Sequence, residues 1–172
     1  MLGQNGRGAI EQEGVSGDRV LAGGSLGKAF GAYGGLAIGA QAVIADLWKS
    51  APARGAASGM ASGAAMTAAS FRYLRRHPER LDKLRRNAAH LKRGLRALGL
   101  DVSATDSPVA TFVAGSAAQM QNLQQQLWNQ DMFVIYSTYV GAGPEGAIRI
   151  AAFADHELAD IDRLLAALRA LL

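Results

Sequence analysis

The 172-residue chain contains no cysteine. A disulfide framework and a thiolate metal site are therefore excluded, and a reducing, cytoplasmic setting is expected. Only three histidines occur, at 77, 90 and 156, too scattered for a metal centre. Aromatic residues make up 6% of the chain, too few to interleave with its basic residues as stacking platforms for nucleic-acid bases. The opening MLGQNGRG lacks the charged start and apolar block of a secretory signal. The most apolar window, residues 29–48, is broken by glycines, Gln41 and Asp46, so no membrane span is expected.

Glycine is plentiful, with 21 residues crowded toward the first 63 positions. Lacking any period, those glycines mark tight turns and close backbone approaches rather than a fibrous repeat. The net charge of +4 is uneven, because ten Lys and Arg residues fall between 72 and 96 against only Glu79 and Asp82. Within that stretch Leu81, Leu84, Ala88, Leu91, Leu95 and Leu98 recur at steps of three and four. One apolar stripe on an amphipathic helix is predicted, with the bases on its solvated faces; a nucleic-acid partner is not.

Two regions differ in character, with a boundary expected near residues 65 and 66. In 1–65, RVLAGG and GGLAIG read as buried strands of a sheet covered on both faces, and AQAVIADLWK as a helix. A helical pattern begins near Gly55, breaks at His77-Pro78 and restarts until Gly99. In 66–172 short elements then alternate. Strands are predicted at 109–115, 132–137 and 147–153, with a helix at 116–130 capped by Ser116 and a closing helix with Asp155 as N-cap. The fold class is α/β. His156 is expected to serve the end of that last helix or to pack locally, and His77 and His90 to face solvent.

Lys28 lies in GGSLGKAFGAYGG (23–35) and is the only charged residue between Arg19 and Asp46. A lysine held in an apolar pocket tends to lose its proton and become a nucleophile, the property that Schiff-base chemistry requires. A turn lysine whose head reaches solvent is the alternative. A phosphate-binding Walker loop is excluded because Ala22 and Ala29 stand where glycine and Ser or Thr are needed. The dinucleotide fingerprint fails on spacing.

The segment Ser25-Leu26-Gly27-Lys28, followed by Gly31, Gly34 and Gly35, resembles the cofactor-lysine segment of pyridoxal-phosphate enzymes of the aspartate-aminotransferase fold (fold type I). More narrowly it is similar to the α-oxoamine synthase family, which includes 8-amino-7-oxononanoate synthases and glycine C-acetyltransferases. GQNGRGAIEQEG at the start and AIRIAAFADHELADIDRLLAAL at the end resemble the same family in order. Classical aminotransferases carry an arginine shortly after the lysine, whereas none occurs here between Lys28 and Arg54, which favours the synthase branch.

The resemblance implies the C-terminal part of that fold, with 1–65 a remnant of the large cofactor-binding domain and 66–172 a small α/β domain. It implies that Lys28 forms the internal aldimine with pyridoxal 5'-phosphate and moves the α-proton, and that Ser25 hydrogen-bonds the phosphate. Ser50 falls near a hydroxyl position that reaches the phosphate of a partner subunit in a homodimer. Arg149, the lone charge in its strand, would hold the amino-acid carboxylate through paired hydrogen bonds, and STYVGAGPEG would border the substrate entrance. The implied reaction condenses an amino acid with an acyl-CoA and releases carbon dioxide. The family's ring-pairing aspartate, ring-stacking histidine and phosphate-cupping turn precede the segment at which this chain begins. The expectation is therefore a truncated enzyme that needs its other half. A non-catalytic packing or partner-binding module, or a class I/II aminotransferase, is the alternative.

Overall fold

The computed structural model describes residues 2–55, 59–139 and 141–172. They divide into two compact units, Met1–Pro78 and Glu79–Leu172. Position 65 lies inside a helix of the first unit, which runs without a break to Arg76.

The first unit comprises α1 (Ala9–Gln12), β1 (Ala22–Ser25), β2 (Gly35–Ile38), α2 (Gln41–Lys49), α3 (Ala51–Gly55) and α4 (Ala61–Arg76). Its opening glycines, Gly3, Gly6 and Gly8, all take positive φ and curl the chain around the Glu11 carboxylate. That carboxylate accepts from the Asn5 side chain at 2.6 Å and the Arg7 backbone amide at 2.9 Å. The Arg7 amide is the main cause that holds its pKa below the ordinary glutamate value. β1 and β2 pair antiparallel from Ala22↔Ile38 to Ser25↔Gly35.

Both strands form where the sequence predicts them, but they are not buried. Gly23, Gly24, Ser25, Ala37 and Ile38 are exposed, and Leu26 is the only apolar side chain buried among the described residues of this unit. A two-stranded ribbon buries little by itself. The expectation of a doubly covered sheet is corrected accordingly. The helical pattern expected from Gly55 is met by α4, which begins at Ala61, while α3 precedes it and ends at Gly55; residues 56–58 of that pattern lie outside the described residues.

The second unit comprises α5 (Glu79–Ala97), β3 (Val109–Phe112), α6 (Ala117–Trp128), β4 (Ile135–Ser137), β5 (Ala147–Ala151) and α7 (Leu158–Leu171). Its sheet runs β3-β5-β4, with both pairs antiparallel. The three strands are shorter than their apolar runs. One continuous core joins Leu91 and Leu95 of α5, Met120 and Leu127 of α6, Ile148 of β5 and Leu168 of α7. Gly94 lets α5 and α7 approach closely, since a β-carbon there would overlap the Leu165 side chain.

Gly99 and Ser116 bound α5 and α6 where the sequence marks them, whereas the cap predicted for α7 is displaced. Gly99 (φ 84°) stops α5, and the Leu100 amide returns to the Leu95 carbonyl at 3.2 Å, a left-handed C-terminal motif. Ser116 accepts from the Gln119 amide, while the Gln119 side chain accepts from the Ser116 amide, a reciprocal cap. For α7 the N-cap is Glu157, with Asp160 reaching back to its amide. Asp155 is instead taken by Arg80, whose guanidinium donates to both carboxylate oxygens at 2.6 and 2.9 Å.

The basic helix is thus less solvated than its sequence suggests. Lys83 pairs with Glu157 and His90 with Asp162, each at 2.6 Å. His77 packs against Tyr73 with ring centroids 4.2 Å apart and the planes tilted by 32°. Lys92 is 3% exposed and donates to the Thr105 carbonyl at 2.5 Å; desolvation chiefly, then the neighbouring Arg96 charge, lowers its pKa. His156 behaves as expected, accepting from the Phe153 amide through Nδ1 and packing edge-on against the Phe153 ring. No helix of the described residues is long and apolar enough to cross a membrane.

Leu95→Ala is expected to lower the unfolding free energy of the second unit by about 2–5 kcal/mol in urea titrations, the range for removing a fully buried leucine. The Arg80 hydrogen bonds are the main cause that holds the Asp155 carboxyl below the ordinary aspartate value. Its folded value lies below the unfolded one, so the stabilisation is complete above the unfolded pKa and is lost as pH falls through the folded pKa. Asp155→Asn should therefore lose less stability than the native chain as pH is lowered from about 5 into the acid range. Parallel urea-midpoint curves would refute this.

Candidate active site

In the first unit the link between β1 and β2 is a nine-residue turn, 26–34, closed by its own backbone. The Leu26 amide donates to the Gly34 carbonyl at 2.9 Å, the Ala32 amide to the Leu26 carbonyl at 3.0 Å, and the Gly31 amide to the Lys28 carbonyl at 3.0 Å. Gly31 and Gly34 take φ of 57° and 97°, angles that a β-carbon disfavours. A β-carbon on Gly27 would stand 3.3 Å from the Ala32 carbonyl oxygen. These local demands account for the glycine spacing around the lysine.

Lys28 is exposed, and its amine meets no acceptor among the described residues. The dry pocket expected from its apolar neighbours is not formed by these residues. The physical reason lies in the neighbours themselves, since glycines have no side chains with which to wall off water. Ser25 ends β1 opposite Gly35; its hydroxyl is likewise exposed and has no partner among the described residues. Ser50 differs, because its hydroxyl donates to the Leu47 carbonyl at 2.7 Å and closes the end of α2. Only its acceptor lone pairs remain for a ligand.

In the second unit Arg149 occupies the middle of β5, the central strand. Register sets Thr111 on one side of it and Ile135 on the other. Ile148 and Ile150 point to the core, so alternation turns Arg149 to the opposite, open face. Its guanidinium pairs with no carboxylate among the described residues. Val113, Phe133, Ile135 and Phe153 are all exposed.

Both ends of β5 are held by groups that sequence reasoning missed. Ahead of it, the Tyr136 hydroxyl donates to the Glu145 carbonyl at 2.8 Å, and the Glu145 carboxylate accepts from the Ala117 amide at 3.0 Å, in the first turn of α6. Gly146 (φ 74°) has Tyr136 so near that a β-carbon would stand 2.7 Å from its ring. After the strand, Asn87 is 1% exposed and its amide donates to the Phe153 and His156 carbonyls at 2.9 and 2.7 Å. The only prior signal was an asparagine next to Ala88, on the apolar side of α5. In the loop STYVGAGPEG, Val140 lies outside the described residues.

Residues 6–168 match the aminotransferase class I and II family. The chain belongs to that family. The 8-amino-7-oxononanoate synthase of Thioalkalivibrio sulfidiphilus (strain HL-EbGR7) is 34% identical over 172 residues, covering 98% of this chain and 44% of the relative. Among solved structures, a serine palmitoyltransferase from S. paucimobilis with a bound PLP-myriocin aldimine superposes with a TM-score of 0.87 at 25% identity, covering 98% of this chain and 44% of that one. An 8-amino-7-oxononanoate synthase from Francisella tularensis matches at TM-score 0.81 and 22% identity, with 98% and 50% covered; it bears on the fold alone. The chain thus corresponds to the C-terminal portion of an α-oxoamine synthase, with the fold-type-I architecture. It spans less than half the length of the curated relatives it matches. The family assignment stands on these matches and not on the burial of Lys28.

Gly146→Ala is expected to destabilise the entry to β5, because both the positive φ and the Tyr136 contact oppose a side chain. Faster amide exchange at residues 147–149, with exchange at Leu91 and Leu95 unchanged, would show it; unchanged exchange at β5 would count against this account.

Proposed function

We propose that the chain supplies the lysine-bearing and carboxylate-binding portion of a pyridoxal-phosphate-dependent α-oxoamine synthase. The supporting observation is the pair Lys28 and Ser25, an amine and a hydroxyl three residues apart at one hairpin turn, both without partners among the described residues. The overall reaction joins the α-carbon of an amino acid to the acyl carbon of an acyl-CoA. The C–S bond and the bond to the carboxylate break, and CoA and carbon dioxide leave.

The donor set fits the cofactor. A primary amine is offered to an aldehyde and a free hydroxyl to a phosphate oxygen. Gly27 lies between them, with its missing β-carbon 3.9 Å from Ser25 Oγ, so the space beside the hydroxyl stays open. When bound, pyridoxal phosphate supplies the aldehyde carbon and an electron-withdrawing ring that stabilises negative charge at the substrate α-carbon. Lys28 is the nucleophile and the group that takes and returns the α-proton. Ser25 donates to the phosphate. Arg149 holds the substrate carboxylate with two parallel hydrogen bonds. Ser50, with its proton already given to Leu47, offers only acceptor lone pairs, which serve an ordered water beside the phosphate and not the phosphate itself. The full activity belongs to an assembly in which the rest of the family fold covers the turn, and a cytoplasmic homodimer with shared sites is the arrangement proposed for it.

A second reading is a non-catalytic relative that packs against a partner. The exposure of Lys28 and of both strands of the first unit favours it. An aminotransferase is disfavoured by the lack of any arginine between Lys28 and Arg54.

Titration of the purified chain with pyridoxal phosphate separates the readings. The enzymatic one expects a visible absorbance band that Lys28→Ala abolishes; the packing reading expects none. Arg149→Ala should keep that band while raising about ten- to hundredfold the amino-acid concentration needed to shift it, the weight of a lost charge-assisted pair. An unchanged amino-acid titration would remove Arg149 from the site.

A further inference from the structure

The turn 26–34 has little of its own with which to hold Lys28 steady. Leu26 is its single buried side chain, and its glycines contribute none. Support comes from α4. Gly63, Thr67, Ser70 and Phe71 recur at helical steps and share one face. Gly63 is buried and lies against Tyr33, where an added β-carbon would stand 3.3 Å from Tyr33 Cβ. The Phe71 ring stacks on Phe30 with centroids 4.4 Å apart. Between these contacts the Ser70 hydroxyl donates to the Phe30 carbonyl at 2.7 Å, across 40 residues of sequence.

A helical Ser or Thr ordinarily turns its hydroxyl back to the carbonyl four residues earlier. Thr67 does so, donating to the Gly63 carbonyl at 2.8 Å. Ser70 does not. Alanine fills many neighbouring positions of α4 and would pack as well at this one, so the hydroxyl is explained by its bond and not by its volume.

We infer that Ser70 is a positioning residue for Lys28. Its hydroxyl fixes the carbonyl two residues beyond the lysine and so sets the direction in which the amine leaves the turn. The inference rests on the reading of Lys28 as the amine that meets the aldehyde. It adds to that reading a residue on a different element, with no contact to the amine itself.

The chain has four lysines, at 28, 49, 83 and 92, which allows an internal reference. Lys49 is exposed and pairs with Asp46 on α2. The purified chain is treated with pyridoxal phosphate, reduced with borohydride, and the modification at each lysine is quantified by peptide mass spectrometry. In the native chain Lys28 is expected to be modified in preference to Lys49. Ser70→Ala should lower the Lys28:Lys49 ratio about fivefold, the weight of one neutral hydrogen bond, with the far-UV spectrum unchanged. Ser70→Thr should restore most of the ratio. If Ser70→Ala loses helical signal, Ser70→Cys, nearly isosteric but a weak donor, is read in its place with the same expectation.

The outcomes separate. A native chain with no preference for Lys28 overturns the lysine reading and this inference with it. A native preference that survives in Ser70→Ala, or in Ser70→Cys where that variant replaces it, overturns the inference alone. A ratio that falls and is not restored by Ser70→Thr also overturns it, because volume rather than the hydroxyl would then be responsible.

Discussion

A central strand has its backbone paired on both sides, so it cannot shift without breaking two ladders at once. β5 is that strand in the second unit, between β3 and β4. Alternation divides its side chains sharply: Ile148 and Ile150 enter the core, and Arg149 stands on the other face. An arginine at that position is tolerable only if the face stays open to water or to a counter-charge, because a buried unpaired guanidinium would cost several kcal/mol. The core of this unit accordingly lies on one side of the sheet, between it and α5, α6 and α7. The contacts at the strand ends extend the same constraint. Gly146, Tyr136 and Glu145 fix its entry and Asn87 its exit, so Arg149 is carried on a strand held along both edges and at both ends.

The first unit meets a different demand. A lysine that must project from a turn cannot be held by bulky neighbours without being enclosed by them. Glycines solve the backbone problem, supplying the positive φ at Gly31 and Gly34, but leave the turn without side chains for packing. Rigidity therefore has to come from outside the turn. The face of α4 that carries Gly63, Ser70 and Phe71 provides it with small residues, a hydrogen bond and one aromatic stack.

Elements were legible in the sequence because their signals are local. The three-and-four spacing of Leu84, Ala88, Leu91 and Leu95, the Ser116 cap and the Gly99 stop each depend on residues a few positions apart. Lys28 and Arg149 stand out for a similar reason, as charges alone in apolar segments, and their roles at the site are the proposal made above. Burial was not legible for β1 and β2, since an apolar run says which residues can be covered and not how many layers cover them. Asp155 was read as the cap of α7, but Arg80, 75 residues away, claims it and the cap falls to Glu157. Lys92 likewise looked like one base among ten, and Ser70 like one small residue among many. Each acquires its role only through a partner distant in sequence.

Most exposed cations among the described residues need no ligand to explain them. They sit on helix faces where solvation costs nothing. Lys28 and Arg149 do not sit on such faces: one lies in the turn between β1 and β2, the other in the central strand β5. The hydration of Lys28 is compatible with the proposed chemistry on one condition. Water must be excluded by groups that arrive with the rest of the family fold, of which this chain covers less than half in its relatives. The same arrival would cover the open strands of the first unit. On the proposed reading one covering layer would both bury the exposed strands and desolvate the amine, because the turn that carries Lys28 is the link between β1 and β2.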